Sequence, residues 1–152
     1  MKEKATITPA SDEERDWAAK LMTGSEPWLT LGITLEQCMK SCHDPEYLLY
    51  VAQVNGVPAG MILLHRRGVA GSPYVKSIAV AEAFRSHGVG EELMQFSENL
   101  FRNDAKHIFL CVSSFNKRAQ IFYERHGYSV VGEFKDYIIK GASEILMHKW
   151  IQ

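Results

Sequence analysis

One run constrains this chain more than any other. The apolar pattern YVKSIAV, Tyr74 to Val80, passes through FRSHGVG into an amphipathic helical pattern lasting from about Gly88 to Arg102, and a second apolar strand, HIFLCVSS, follows. A helix between two such strands is a crossover connection, which sets its flanking strands parallel. A second helix-to-strand unit follows, NKRAQIFYERHG closed by Gly127 and then YSVVGEFKDYIIK, with SEILMHKWI returning as a terminal hairpin that turns near Gly141. Upstream, YLLYVAQV and VPAGMILLHRR flank Asn55-Gly56, the strongest short hairpin signal, and so predict antiparallel neighbours. The Gly/Ser/Pro interval GVAGSP then leads into Tyr74.

The first third supplies a short strand, ATITPA, and two capping-box signatures. Ser11 with Glu14 opens a helix ending near Gly24, and Thr34 with Gln37 opens LEQCMKSC, which stops before Pro45. The segment between them, TGSEPWLTLG, reads as a loop. The predicted order is β-α-α-β-β-β-α-β-α-β-β. This is an α/β (α+β) fold, a mixed and mostly antiparallel sheet with helices on both faces.

At 152 residues the chain suits one domain, residues 1–152, with a core burying about 70% of its unfolded surface. A net charge of −1 leaves no general basic surface for a nucleic acid. The opening MKEKATITPA lacks the apolar stretch of a signal peptide, and no uninterrupted apolar run of ~18 residues spans a membrane, so a cytoplasmic location is expected. Cys38, Cys42 and Cys111 show no metal or disulfide spacing and read as core or helix-face thiols. The six histidines likewise form no ligand pattern, so no metal is expected.

The glycine turn at the crossover invites an anion. A helix N-terminus exposes N–H groups without internal partners, Gly88 and Gly90 clear the approach, and Arg85 adds a cation at the mouth. Glycines at such a junction also serve simply as turn residues. The spacing excludes a P-loop, because Gly90 is followed by Glu91 and Glu92 where lysine and a hydroxyl are required. The dinucleotide fingerprint fits poorly, since Leu93 occupies its third small position and the turn lies past mid-chain.

IAV…FRSHGVG on a strand, turn and helix, followed by FLCVSSFNKRAQIFYERHGYSVVGE, resembles the Gcn5-related N-acetyltransferase (GNAT) family. Two separated motifs agree, an Arg-x-x-Gly-x-Gly turn and a downstream Asn-x-x-Ala…Tyr-x-x-x-Gly-Tyr segment, covering about Tyr74 to Gly132. The resemblance implies a GNAT fold and transfer of an acetyl group from acetyl-coenzyme A to a primary amine by direct attack. It implies that Arg85, Ser86, His87, Gly88, Val89, Gly90 and Glu91 wrap the pyrophosphate. It places Ile78, Ala79, Val80 and Asn116 along the pantetheine arm, and Tyr123 where the family has its general acid. The same tyrosine, beside Ile121 and Phe122, also reads as core.

Acetyl transfer needs a donor for the carbonyl oxygen, which the resemblance assigns to the Val80 amide, and a proton for the departing sulfur. A phenol of pKa about 10 keeps its proton at neutral pH and suits the second task. The base is open. Where relatives carry a strand glutamate this chain has Tyr74 and Cys111, leaving Glu26, Tyr47, Tyr74, His65 or water. By resemblance GSEPWLTLG lies over the acceptor, with Trp28 as an apolar wall and Glu26 attracting an ammonium; packing of Trp28 on the sheet is the alternative. Two other functions fit the chain: a catalytically inactive coenzyme-A-binding regulatory module, and an interaction domain pairing through Tyr137, Ile138, Ile139 and Trp150, with which a homodimer is compatible.

Overall fold

The computed structural model describes residues 3–152; Met1 and Lys2 of the opening stretch lie outside the described residues. The elements are β1 (Thr6–Pro9), α1 (Asp12–Thr23), α2 (Trp28–Leu31), α3 (Leu35–His43), β2 (Leu48–Val54), β3 (Val57–Val69) and β4 (Ser72–Val80). A single 3-10 turn, Glu82–Phe84, leads to α4 (Val89–Phe101), β5 (His107–Ser113), α5 (Lys117–Arg125), β6 (Ser129–Phe134) and β7 (Glu144–Trp150). The strands form one seven-stranded sheet in the order β1-β2-β3-β4-β5-β7-β6. The mixed sheet with helices on both faces is the expected fold.

Local chemistry sets most boundaries. Both capping boxes form, Ser11 with Glu14 and Thr34 with Gln37, each pairing the first free amides of its helix. Asn55 and Gly56 take φ values of 52° and 76° and close the β2–β3 hairpin. The sequence reading misses a second turn of the same kind. Ala70 and Gly71, with φ of 49° and 78°, join β3 to β4 directly, so β3 runs on to Val69 where a loose Gly/Ser/Pro interval was expected. Alanine rarely accepts positive φ, which is why the signal was weak. TGSEPWLTLG also differs from expectation, because Trp28–Leu31 winds into one helical turn stopped by Gly32 in the left-handed region.

Strand alternation divides the core in two. Ile62 and Leu64 of β3, Val75 of β4, and Ile108, Leu110 and Val112 of β5 pack under α4 and α5. Met61 and Leu63 of β3 face the other way, onto Ala18, Ala19 and Met22 of α1 and Cys38 and Cys42 of α3. Cys38 and Cys42 are thus core thiols; burial raises the Cys42 pKa to about 12, which keeps it protonated. Among the described residues no helix is long and apolar enough to cross a membrane.

The two crossovers end differently. β5 lies parallel beside β4, as expected, but β7 inserts antiparallel between β5 and β6, so the second crossover creates no adjacent parallel pair. The terminal hairpin is correspondingly looser than predicted, with β6 ending at Phe134 and a connection running from residue 135 to 143. Beneath α4, Glu98 is buried but satisfied, accepting from the Tyr128 hydroxyl at 3.1 Å and from Lys149 Nζ at 2.7 Å. This ties α4 to the chain entering β6 and to β7.

α4 sits close to β3 because Gly60 has no side chain. A Cβ there would lie 3.1 Å from Leu93 Cδ1, Val89 Cγ1 and the Ala79 carbonyl oxygen. Gly60→Ala is therefore expected to lower stability by about 1–3 kcal/mol through overpacking. Urea denaturation measures this, and an unchanged midpoint would mean that the helix yields freely.

Candidate active site

β4 and β5 pair at only two positions, Tyr74 with Phe109 and Val75 with Leu110. Immediately beyond, the β3–β4 register slips, with Leu63 opposite Ser77 but Leu64 opposite Val75, so Lys76 is an extra residue in β4. Such a bulge bends its strand and increases its twist. From there β4 follows β3 while β5 follows β7, and a gap opens between them. The Ala81 amide donates to the Ala59 carbonyl at 2.8 Å, and alternation then turns the amides of Ile78 and Val80 the other way, into the gap. The gap belongs to one cleft of about 1660 Å³ that continues past the α1–α2 loop.

At its far end lies the start of α4. α1, α3 and α5 are each capped by a side chain, Ser11, Thr34 and Asn116 respectively. α4 is not: Gly88 holds its N-cap at φ 85° with no side-chain bond. Ser86 also takes a positive φ, 65°. None of the amides from Ser86 to Glu91 finds an acceptor in normal hydrogen-bond geometry among the described residues. Buried or ligand-facing amides require partners, so a run of open donors at a helix N-terminus suits an anionic oxygen cluster. The Arg85 Nε donates to the Val80 carbonyl at 3.1 Å, pinning the turn against β4, and Arg85 lines the cleft with its Nη groups in no other hydrogen bond among the described residues. Gly90 passes close to Phe122 and Val80, with room for no more than a methyl group.

The predicted site residues gather here with one exception. Ile78, Ala79, Val80, Arg85, Ser86, Gly88, Val89, Gly90, Glu91, Asn116, Tyr123, Glu26 and Trp28 all border the cleft. His87 does not; its side chain is turned out to solvent, so only its amide belongs to the turn. Asn116 spends its Oδ1 capping α5, accepting from the Ala119 amide at 3.2 Å, and keeps its Nδ2 donor. Tyr123 is 7% exposed, packed edge-on against Phe122 and Tyr128, and burial raises its hydroxyl pKa. It is at once a core ring and a cleft-lining phenol, protonated across the working pH range.

On the opposite wall Trp28 packs on the α1–α3 core and also lines the cleft. The exposed Glu26 carboxylate is held by the Thr30 hydroxyl at 2.6 Å and the Thr30 amide at 2.9 Å, which lower its pKa. Of the other candidate bases, His65 accepts from the Arg67 amide and stacks edge-on against Tyr47. Tyr74 crosses β3 where Gly68 leaves room; a Cβ at Gly68 would stand 2.5 Å from that of Tyr74. Its hydroxyl meets the Cys111 thiol, and burial first, then that partner, raise the tyrosine's pKa. Cys111 is not the buried filler expected from its apolar strand but a half-buried thiol on the cleft, its pKa raised chiefly by burial.

The sequence reading misses one residue altogether. Glu144 opens β7, is 8% exposed, lines the cleft, and accepts from the Ser113 hydroxyl at 2.7 Å. Burial raises its pKa, partly opposed by that hydrogen bond. The available signal was a carboxylate in register with the inward positions of an apolar strand, SEILMHKWI. Among the described residues no group of histidine, cysteine and carboxylate side chains is arranged to hold a metal.

A splayed mixed sheet with an uncapped helix start at the gap defines the acetyltransferase class of fold. The family model for the acetyltransferase (GNAT) family matches residues 11–128, and the chain belongs to that family. Comparison with curated proteins finds no significant match. Among solved structures, it is similar to nourseothricin acetyltransferase, at 28% identity and TM-score 0.65, over 72% of this chain and 68% of that one. It also resembles Ard1 from Thermoplasma volcanium, at 21% identity and TM-score 0.80, over 98% and 99% of the two chains. An aminoglycoside 6'-N-acetyltransferase complexed with coenzyme A matches at 18% identity and TM-score 0.77, over 97% of each.

Gly88→Ala would place a Cβ at a left-handed N-cap, costing about 1–2 kcal/mol where the fold holds that conformation and turning the amides aside where it yields. Affinity for coenzyme A is expected to fall at least about tenfold, since 1.4 kcal/mol is a factor of ten. Titration calorimetry reads this directly.

Proposed function

We propose that the chain is an N-acetyltransferase that moves an acetyl group from acetyl-coenzyme A to a primary amine of a small molecule or peptide by direct attack. One observation carries this: the open amides of Ser86 to Glu91 stand at the mouth of the gap between β4 and β5. In this reading those amides and the Arg85 guanidinium receive the pyrophosphate of the coenzyme. The Ile78 and Val80 amides pair with the pantetheine arm as a neighbouring strand would, and Asn116 Nδ2 donates from the other side.

The bound thioester supplies the activated acetyl group. The chain's residues hold it and manage protons. The Val80 amide is suited to donate to the acetyl oxygen as charge builds on it. The Tyr123 hydroxyl, a phenol that keeps its proton at neutral pH, gives that proton to the departing sulfur. Amine acceptors are supported by the similarity in fold to the aminoglycoside 6'-N-acetyltransferase. Trp28 and Glu26, on the wall away from Tyr123, suit the acceptor. A second reading, binding without transfer, draws on the lack of a carboxylate from β4 and β5 and predicts no thiol release with any amine.

Calorimetry with coenzyme A, followed by thiol release from acetyl-coenzyme A across polyamines, aminoglycosides, amino acids and peptide N-termini, tests the proposal. No heat with coenzyme A would overturn it. Tyr123→Phe is expected to cut turnover at least tenfold, the low end of general acid catalysis being about 10²-fold, while leaving coenzyme affinity nearly unchanged. Trp28→Ala is expected to change acceptor preference more than coenzyme binding.

A further inference from the structure

The amine's proton is the part of this chemistry that β4 and β5 do not provide for. An alkylammonium of pKa about 10.4 has no free lone pair at neutral pH. A base within reach of the acceptor must take its proton before attack.

Strand register shows which side chains are available. Ile108, Leu110 and Val112 fill the core under α4 and α5, so Cys111 and Ser113 point to the opposite face of the sheet. Their partners on β7 are Leu146 and Glu144, which share that face. α1 and α3 cover this face only over β2, β3 and β4, and the β5–β7 part is left as the floor of the cleft. Glu144 is thus a carboxylate on the floor of the acceptor side, across the sheet from Tyr123.

Its partners leave it unfinished. Oε2 accepts from Ser113, but Oε1 has no protein donor among the described residues, and no cation forms an ion pair with it there. Nor is Oε1 sealed in, since no described side-chain oxygen is both buried and unpartnered. The titratable groups facing it are the Tyr74 hydroxyl from β4 and the Cys111 thiol from β5, both neutral at pH 7. Lys76 of β4 is exposed, acts on Cys111, and lies over the Tyr47 ring. Glu26 stands in the opposite wall but is engaged with Thr30. A carboxylate with one open oxygen, facing a cleft and lacking a cation, is built to receive one.

We propose that Glu144 is the acceptor's receiving group: its carboxylate pairs with the incoming ammonium, takes one proton from it, and passes that proton to solvent. The freed lone pair then forms the C–N bond as the C–S bond breaks. The sulfur takes a proton from Tyr123, which the second N–H proton replaces through solvent. Ser113 is a positioning residue, holding Oε2 so that Oε1 faces the cleft. The ligand class is a primary alkylamine, charged in solution. The inference rests on the acetyltransferase reading, and its test separates the two.

Because a base works only when ionised, the rate must fall as pH drops through the Glu144 pKa, which burial sets above the ordinary carboxylate value. Glu144→Gln keeps the shape and the hydrogen bond to Ser113 while removing the charge. It is expected to leave coenzyme A affinity within twofold, to lower kcat/KM for the best amine of the panel by at least about 50-fold at pH 7, and to lose the acid limb of the pH profile. Glu144→Asp should recover part of the rate with an acid limb. A Glu144→Gln enzyme retaining both rate and acid limb overturns this inference and leaves the acetyltransferase reading standing. Failure of the wild-type protein to bind coenzyme A overturns both.

A second readout does not depend on knowing the acceptor. In glutamate-labelled protein saturated with coenzyme A, the carboxyl carbon resonance absent from Glu144→Gln is titrated with and without spermidine, kanamycin and a free glycyl peptide. A midpoint lowered by one of these amines supports the pairing. A midpoint that none of the three moves overturns it.

Discussion

The structure depends on a pairing that stops early. β4 and β5 share a ladder for two residues and then part, and each remains fully paired on its other side, β4 with β3 and β5 with β7. A sheet interrupted in this way would normally expose backbone groups without partners, which is costly when they are shielded from water. The molecule holds the gap open by satisfying both strands elsewhere and by bulging β4 at Lys76, so that the twist carries it away from β5. The amides left facing the gap are those of Ile78 and Val80, and they are what a bound chain with its own amides can use.

The open start of α4 follows the same accounting. A capping side chain on α4 would fill the donors that Ser11, Thr34 and Asn116 fill on α1, α3 and α5. Gly88 withholds that bond, and the positive φ values at Ser86 and Gly88 curl the turn so that successive amides converge. Stability forgone at the cap is recovered along the helix, where Val89, Leu93, Met94 and Phe101 are buried and Glu98 is paired with Tyr128 and Lys149. Gly60 brings this helix close against β3, fixing the distance between the open amides and the Val80 edge.

Features dictated within a few residues were legible in the sequence. Capping boxes, the Asn55-Gly56 turn, the amphipathic run of α4 and the glycine turn are local, and each appears where its residues are. The Ala70-Gly71 hairpin was hidden because its geometry comes from the strands on either side rather than from a favoured turn residue. The insertion of β7 between β5 and β6 depends on long-range pairing that no window of sequence contains. Glu144 was missed for a related reason. Its significance lies in being opposite Ser113, thirty-one positions away, and in facing a floor that α1 and α3 leave uncovered. Cys111 was misjudged on the same ground, an apolar strand being read as buried on both faces.

Alternation also explains how one cleft can keep a proton donor and a proton acceptor apart. Tyr123 comes from α5, packed on the face filled by Ile108, Leu110 and Val112, whereas Glu144 lies on the face of Cys111 and Ser113. The sheet stands between them except at the gap, the one place where groups from both faces can reach the same bound molecule. A carboxylate and a phenol in direct contact would bind each other, as Glu98 and Tyr128 do within the structure beneath α4, and neither would be free for a bound molecule. On opposite faces of the sheet, each keeps its own state, the phenol protonated and the carboxylate made more basic by burial. In the proposed reaction the two-sidedness of a β-sheet is therefore what lets one cleft draw acid chemistry from one face and base chemistry from the other.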